Sequence, residues 1–195
     1  MLCASGNFVK LAFTKAFLML GWLSKATDRV SLRLNKIVLA KLQKEADESG
    51  ISLSALVSKA LKQHTDWHSN AVKAGFITVR RATILRLLDK VTEDEIRKIG
   101  RDVASSESKD FVLLLKHEYN IDSALEVIET WIKISGYPYN HETQFEKHKY
   151  FIQHDMGRKW SLYLSEAYSF VFEDFGHKRP EFVIRENSLS FEITT

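Results

Sequence analysis

The chain has 195 residues, a formal net charge of +3 and a pI of about 8.9. That length holds one small module plus a second domain of ordinary size, and the mild charge excludes binding to a polyanion through charge alone. A single cysteine, Cys3, excludes an internal disulfide framework and a Cys-rich zinc site, and fits a reducing cytoplasm.

Residues 1–24 read as an N-terminal extension. Phe8 to Leu23 is mostly apolar but is broken by Lys10 and Lys15, which makes it too short and too charged for a membrane span of about twenty residues. A membrane is therefore not an expected partner. Ser24-Lys25-Ala26 is a poor signal-peptidase site. Two readings remain open, an amphipathic segment that packs on a dimer and a reading frame whose natural start is Met19.

Residues 25–70 carry the strongest pattern. In Arg29-Val-Ser-Leu-Arg-Leu34 the apolar Val30, Leu32 and Leu34 alternate with Arg29, Ser31 and Arg33, so an extended strand has one apolar and one polar face. Asn35 is suited to capping a helix, and Ile37, Val38, Leu42 and Ala46 follow at roughly helical spacing until Gly50. Ser52 is a second capping candidate, and Leu53, Leu56, Val57, Ala60 and Leu61 form the stripe of a second helix running toward His64 or beyond. A lone strand leaves backbone groups unpaired, so this small unit is expected to pair its strand with that of a second copy. Between Lys25 and His64 eight basic residues stand against four acidic ones, a net of +4. The alternative for Arg29 and Arg33 is an ordinary edge strand guarded by charge.

Strand, capped helix, glycine turn and serine-capped helix in about forty residues resemble the ribbon-helix-helix DNA-binding family of the Arc, MetJ and CopG repressors. The resemblance covers Lys25 to Thr65, about a fifth of the chain. It implies a homodimer or higher even-numbered oligomer, with double-stranded DNA as partner. It also implies that Arg29, Ser31 and Arg33 of an antiparallel ribbon contact base edges in the major groove. Ser52, Leu53 and Ser54 then form a phosphate clamp at the start of the second helix.

Residues 71–109 read as a helical connector. Gly75 to Val79 is a short strand candidate, Ile84 to Val91 a helix, and Thr92-Glu93-Asp94-Glu95 a capping box opening another helix through Val103. The Ser-rich and charged Ala104 to Asp110 is the best domain boundary.

Residues 110–195 form the second domain. The apolar run Phe111 to Leu115 has buried-strand length, and Ile121, Leu125, Ile128, Trp131 and Ile132 mark a helix ended by Gly136 and Pro138. Tyr139–Phe145 and His148–His154 predict a hairpin. Asp155 caps a helix with Trp160, Leu164, Tyr168, Val171 and Phe172 on its face, and Phe182–Ile184 with Leu189–Ile193 predict a second hairpin. The fold class is thus α+β: a dimeric ribbon-helix-helix, a connector, and a two-helix antiparallel-sheet domain in ferredoxin-like or ACT-type order, with one strand to spare.

A ribbon-helix-helix joined to an ACT-type domain resembles the nickel-responsive regulators of the NikR type, which group His and Cys ligands closely. This chain has neither a His-x-His pair nor a nearby Cys. His148 and His154 on one strand lie about 20 Å apart, too far to share an ion. His64 and His68 have a metal-pair spacing, for which a surface helix end is the commoner explanation. No metal or cofactor is expected. His154-Asp155 lacks any accompanying nucleophile or phosphate-loop motif, so catalysis is not expected either. Tyr137, Tyr139, Tyr150, Phe151, Trp160, Tyr163, Tyr168 and Phe170 suffice to line a small-molecule effector pocket or a protein interface, core packing being their more frequent use.

The expectation is a cytoplasmic, dimeric, sequence-specific transcriptional regulator, a repressor by preference. The alternative is an antitoxin-like protein that binds a partner through its C-terminal domain and autoregulates its operon. Antitoxin tails are short and polar, whereas this region has an apolar periodicity of its own.

Overall fold

The computed structural model describes residues 30–195, which fall into two units divided between Leu53 and Ser54. In the first unit, Val30 to Asn35 is irregular and leads into helix α1, Lys36–Glu48. Asn35 caps it as expected, its side-chain oxygen accepting from the Ile37 N–H at 2.8 Å. At the other end Gly50 has φ +66°, a conformation glycine reaches without a Cβ penalty. The N–H of Ile51 donates to Ala46 O (3.0 Å) and that of Gly50 to Asp47 O (3.2 Å), the paired bonds of a Schellman cap.

The strand expected at Arg29–Leu34 does not form over Val30 to Leu34, the described part of it. Val30 to Leu34 pairs with no strand among the described residues, and Arg29 lies outside them. A strand needs a neighbour for its backbone groups, and the four strands of the second unit bond only to one another.

Helix α2, Leu53–Gln63, continues through a π turn, His64–His68, and a last helical turn, Ser69–Ala71. Gly75 to Val79 is not the expected strand. Phe76 instead packs against Trp67 and Phe111, with ring centroids 5.3 and 4.9 Å apart. Helix α3 is Arg81–Leu88, and α4 runs unbroken from Glu93 to Lys116. The capping box of α4 forms as read: Thr92 Oγ1 accepts from the Glu95 N–H, and the Glu95 carboxylate accepts from the Thr92 N–H at 2.8 Å.

Two readings fail inside α4. The supposed boundary at Ala104–Asp110 is mid-helix, because Ser105 and Ser106 turn their hydroxyls back onto the Asp102 carbonyl, at 2.9 and 3.0 Å, and so satisfy themselves within the helix. Phe111–Leu115 is the last part of the same helix, with Val112 buried against Ala124, Val127 and Val171. A short apolar run fits a buried strand and a buried helix segment equally well.

Helix α5, Ile121–Ile134, is followed by β1 (Tyr139–Gln144), β2 (Lys147–Gln153), α6 (Arg158–Asp174), β3 (Val183–Ile184) and β4 (Ser188–Thr194). The sheet is antiparallel throughout, in the order β1-β2-β4-β3. Both hairpins stand where expected, but the ferredoxin-like order does not, because its leading strand is helical. Asp155 is not a cap: it turns the chain at φ +53°, and Gly157 occupies the capping position of α6.

Alternation in β2 and β4 buries Tyr150, Ile152, Leu189, Phe191 and Ile193 beneath α5 and α6, which supply Leu125, Ile128, Ile132, Leu164, Tyr168 and Phe172. Among the described residues, no helix is long and apolar enough to cross a membrane.

Helices α4 and α6 touch backbone to backbone at Gly100, where a Cβ would lie 2.5 Å from the Tyr163 carbonyl oxygen. A carbonyl held in a helix cannot move aside as a flexible side chain can. Gly100→Ala should therefore destabilise the second unit by about 1–3 kcal/mol through forced separation of the helices. A thermal denaturation curve as steady as wild type would contradict this contact.

Candidate nucleic-acid interface and the polar clusters of the second unit

Of the residues expected to face DNA, Ser31 and Arg33 are exposed in the irregular approach to α1, and Arg29 is outside the described residues. Between them, Val30 and Leu32 are 74% and 58% exposed, and Leu34 is exposed too. Ile37 and Val38 on α1 are likewise uncovered, while Ala46 is fully buried. The apolar stripe that sequence periodicity placed inside thus stands open in the single chain.

Ser52 immediately precedes α2, Leu53 is its first residue and Ser54 its second, with both serines exposed. The first amides of any helix lack carbonyl partners within it and carry the positive end of its dipole, so this position suits an anion.

The second unit holds a polar cluster that sequence reading missed. Glu129 on α5 accepts from His141 Nδ1 (2.5 Å) and Tyr150 Oη (3.2 Å) through one oxygen, and from Lys133 Nζ (3.1 Å) through the other. His141 Nε2 lies 3.1 Å from His148 Nδ1 and 3.2 Å from Thr143 Oγ1, and its ring stacks on Tyr150 at 4.1 Å. The hairpin register sets Thr143 opposite His148 and His141 opposite Tyr150, which brings residues seven apart into contact. The signal for it is that register, which sets His148 beside His141 across the hairpin, whereas sequence order pairs it with His154 on the same strand.

With its Nδ1–H donating to Glu129, the His141 ring presents Nε2 as its acceptor, facing His148 Nδ1 and Thr143 Oγ1. The Tyr150 phenol stays protonated: burial raises its pKa first, and the Glu129 charge adds to it. Among the described residues, no group of three His, Cys, Asp or Glu side chains is placed to hold a metal ion.

His154 and Ser161 form a 2.8 Å pair that looks, in isolation, like a base and its nucleophile. Both are buried, His154 at 1% exposure, so no substrate reaches them. Nδ1 of His154 accepts from the Met156 N–H (3.1 Å), which places the ring proton on Nε2 toward Ser161; the Ser161 hydroxyl in turn donates to Arg185 O at 2.9 Å. The network ties the end of β2 to α6 and to the β3–β4 turn.

Glu166 is a second buried anchor. Burial alone would raise its pKa, but Arg179, bonded at 2.6 and 3.1 Å, and Arg97, at 3.1 Å, together bring it below the usual range. A carboxylate so enclosed is stable only while its cations stay in place.

No family model matches the chain, and no curated protein matches it.

Burial lowers the His154 pKa from 6.5 to about 4, with the Asp155 charge opposing. The unfolded chain therefore takes up this proton near pH 6.5 while the folded protein refuses it. The stabilisation is complete above pH 6.5 and is lost as pH falls toward 4, by on the order of 3 kcal/mol in all. Urea denaturation across that window should show the loss in wild type and a flatter profile in His154→Gln. Equal pH slopes for the two proteins would refute the assignment.

Proposed function

We propose that the chain is a sequence-specific DNA-binding regulator, acting as a repressor, whose residues 29–34 pair with those of a second copy. The observation that carries this reading is the exposed row Val30, Leu32 and Leu34, alternating with Ser31 and Arg33 directly before a capped helix, a Schellman turn and a second helix. Side chains of this kind seek cover, and each one buried contributes roughly 1.5–3 kcal/mol. An antiparallel ribbon of two copies covers all three at once, and it satisfies backbone groups that no strand among the described residues satisfies.

The opposite face of that ribbon carries Arg29, Ser31 and Arg33. Two arginines per copy supply bidentate donors for guanine O6 and N7, the pairing that distinguishes bases in the major groove. The start of α2 at Ser52, Leu53 and Ser54 binds a backbone phosphate and fixes the register of the ribbon. Two-fold symmetry of the dimer requires a palindromic or repeated operator. The second unit has its own core, which favours this reading over an antitoxin whose tail folds on its toxin.

The assembly is tested first. Light scattering should return a dimer or an even-numbered oligomer at micromolar concentration, and Leu32→Glu should dissociate it by placing a charge in the shared face. A folded wild-type monomer at that concentration would end the proposal.

Groove reading is tested by selection of a binding site from random duplexes, followed by titration. Arg33→Ala should cost about 1–3 kcal/mol at the selected site and relax base preference, whereas Ser54→Ala should weaken binding evenly across sequences. If both variants lost specificity equally, the assigned roles would be wrong.

A further inference from the structure

An open cleft of about 740 Å³ lies between α4, α5 and α6, a volume in the range of small-molecule sites. Phe76, Phe111 and Trp131 supply aromatic rings to its wall. Phe76 is 43% exposed, and its ring lies tilted against that of Phe111 with the centroids 4.9 Å apart.

Three charged side chains line the same space: Glu107 and Asp110 on α4, and Lys73 shortly before Phe76. Glu107 stands three residues before Asp110 and four before Phe111 on one unbroken helix, so both carboxylates share a face with the Phe111 ring. Both acids are exposed, and among the described residues neither carboxylate takes part in a hydrogen bond or an ion pair. The Lys73 ammonium is equally unpaired there and does not neutralise them. Two carboxylates against one ammonium leave the cleft with a net charge of −1. On the neighbouring helices the acids are answered by cations of the fold: Glu126 by Lys116, Glu166 by Arg97 and Arg179, and Glu173 by Arg101. The pair in the cleft has no such answer.

An anion entering this space meets two like charges and one opposite. A small metal ion finds no group of three ligating side chains among the described residues. A weakly hydrated organic cation meets what it needs, because aromatic faces attract positive charge and an apolar wall removes the water that would screen it from the carboxylates. We propose that this cleft binds a lipophilic organic cation, its apolar groups against Phe76, Phe111 and Trp131 and its charge beside Glu107 and Asp110. The site rests on the cleft and its charges, independently of the proposed DNA-binding function.

Tetraphenylphosphonium and tetraphenylborate share one shape and carry opposite charges, so the pair isolates the part played by the carboxylates. Titrated into the full-length protein in a calorimeter, tetraphenylphosphonium should bind saturably and at least about tenfold more tightly than tetraphenylborate. The preference should shrink as salt is added. The double variant Glu107→Gln, Asp110→Asn should melt as wild type does, since neither carboxylate is bonded within the fold. It should lose the preference or reverse it, Lys73 then being the charge that remains. An absence of saturable phosphonium binding, tetraphenylborate binding as tight in wild type, or a cation preference that survives the double substitution would overturn the site.

Discussion

Helices α4 and α6 meet at a distance that only a glycine permits, and the layout of the second unit follows from that contact. With Gly100 against the Tyr163 carbonyl, α6 is held between α4 on one side and the sheet on the other. The Glu166 carboxylate, within one turn of Tyr163, is gripped by Arg97 and Arg179, which ties the same stretch of α6 to α4 and to the chain before β3. The cleft between α4, α5 and α6 is lined along α4 from Val103 onward, one turn past Gly100. The close approach and the cleft therefore lie along the same helix, with the glycine fixing one end of the space.

Polar residues inside this unit tie its elements to one another. His154, Ser161 and the Arg185 carbonyl form a closed chain of hydrogen bonds, and the burial that holds the imidazole neutral also bars substrate. The cluster of Glu129, His141 and His148 is more open, yet three of its partners converge on one carboxylate and fix its geometry. Tyr168 is different, because its buried hydroxyl meets no hydrogen-bond partner among the described residues.

Local chemistry was legible in the sequence and long-range placement was not. The Asn35 cap, the Thr92–Glu95 capping box, the Gly50 turn and both hairpins depend on residues within a few positions of one another, and all formed as read. Phe111–Leu115 depended on what lay across from it, and α5 and α6 made it helical. Asp155 had the chemistry of a cap, but the turn at positive φ carried it past the helix start and left Gly157 there. At the candidate DNA interface the sequence supplied residue types and spacing. Their meeting in a ribbon requires a second copy, which no reading of one chain provides.

The two units thus stand under opposite constraints. From Ser54 onward the chain builds a core of its own, with Tyr150, Phe172, Ile152 and Leu189 fully buried. Among the described residues before Leu53 the largest apolar side chains face outward, and Ala46 is the one buried. On the proposed reading, in which a second copy covers them, the folding of that unit and its assembly are a single equilibrium. If association also creates the surface that reads DNA, protein concentration sets occupancy of the operator more steeply than one-to-one binding would. The self-sufficient unit then has a role independent of that equilibrium: it holds α2 in place at any concentration, and whatever perturbs the packing of Trp67 acts on the second helix of each copy before a dimer forms.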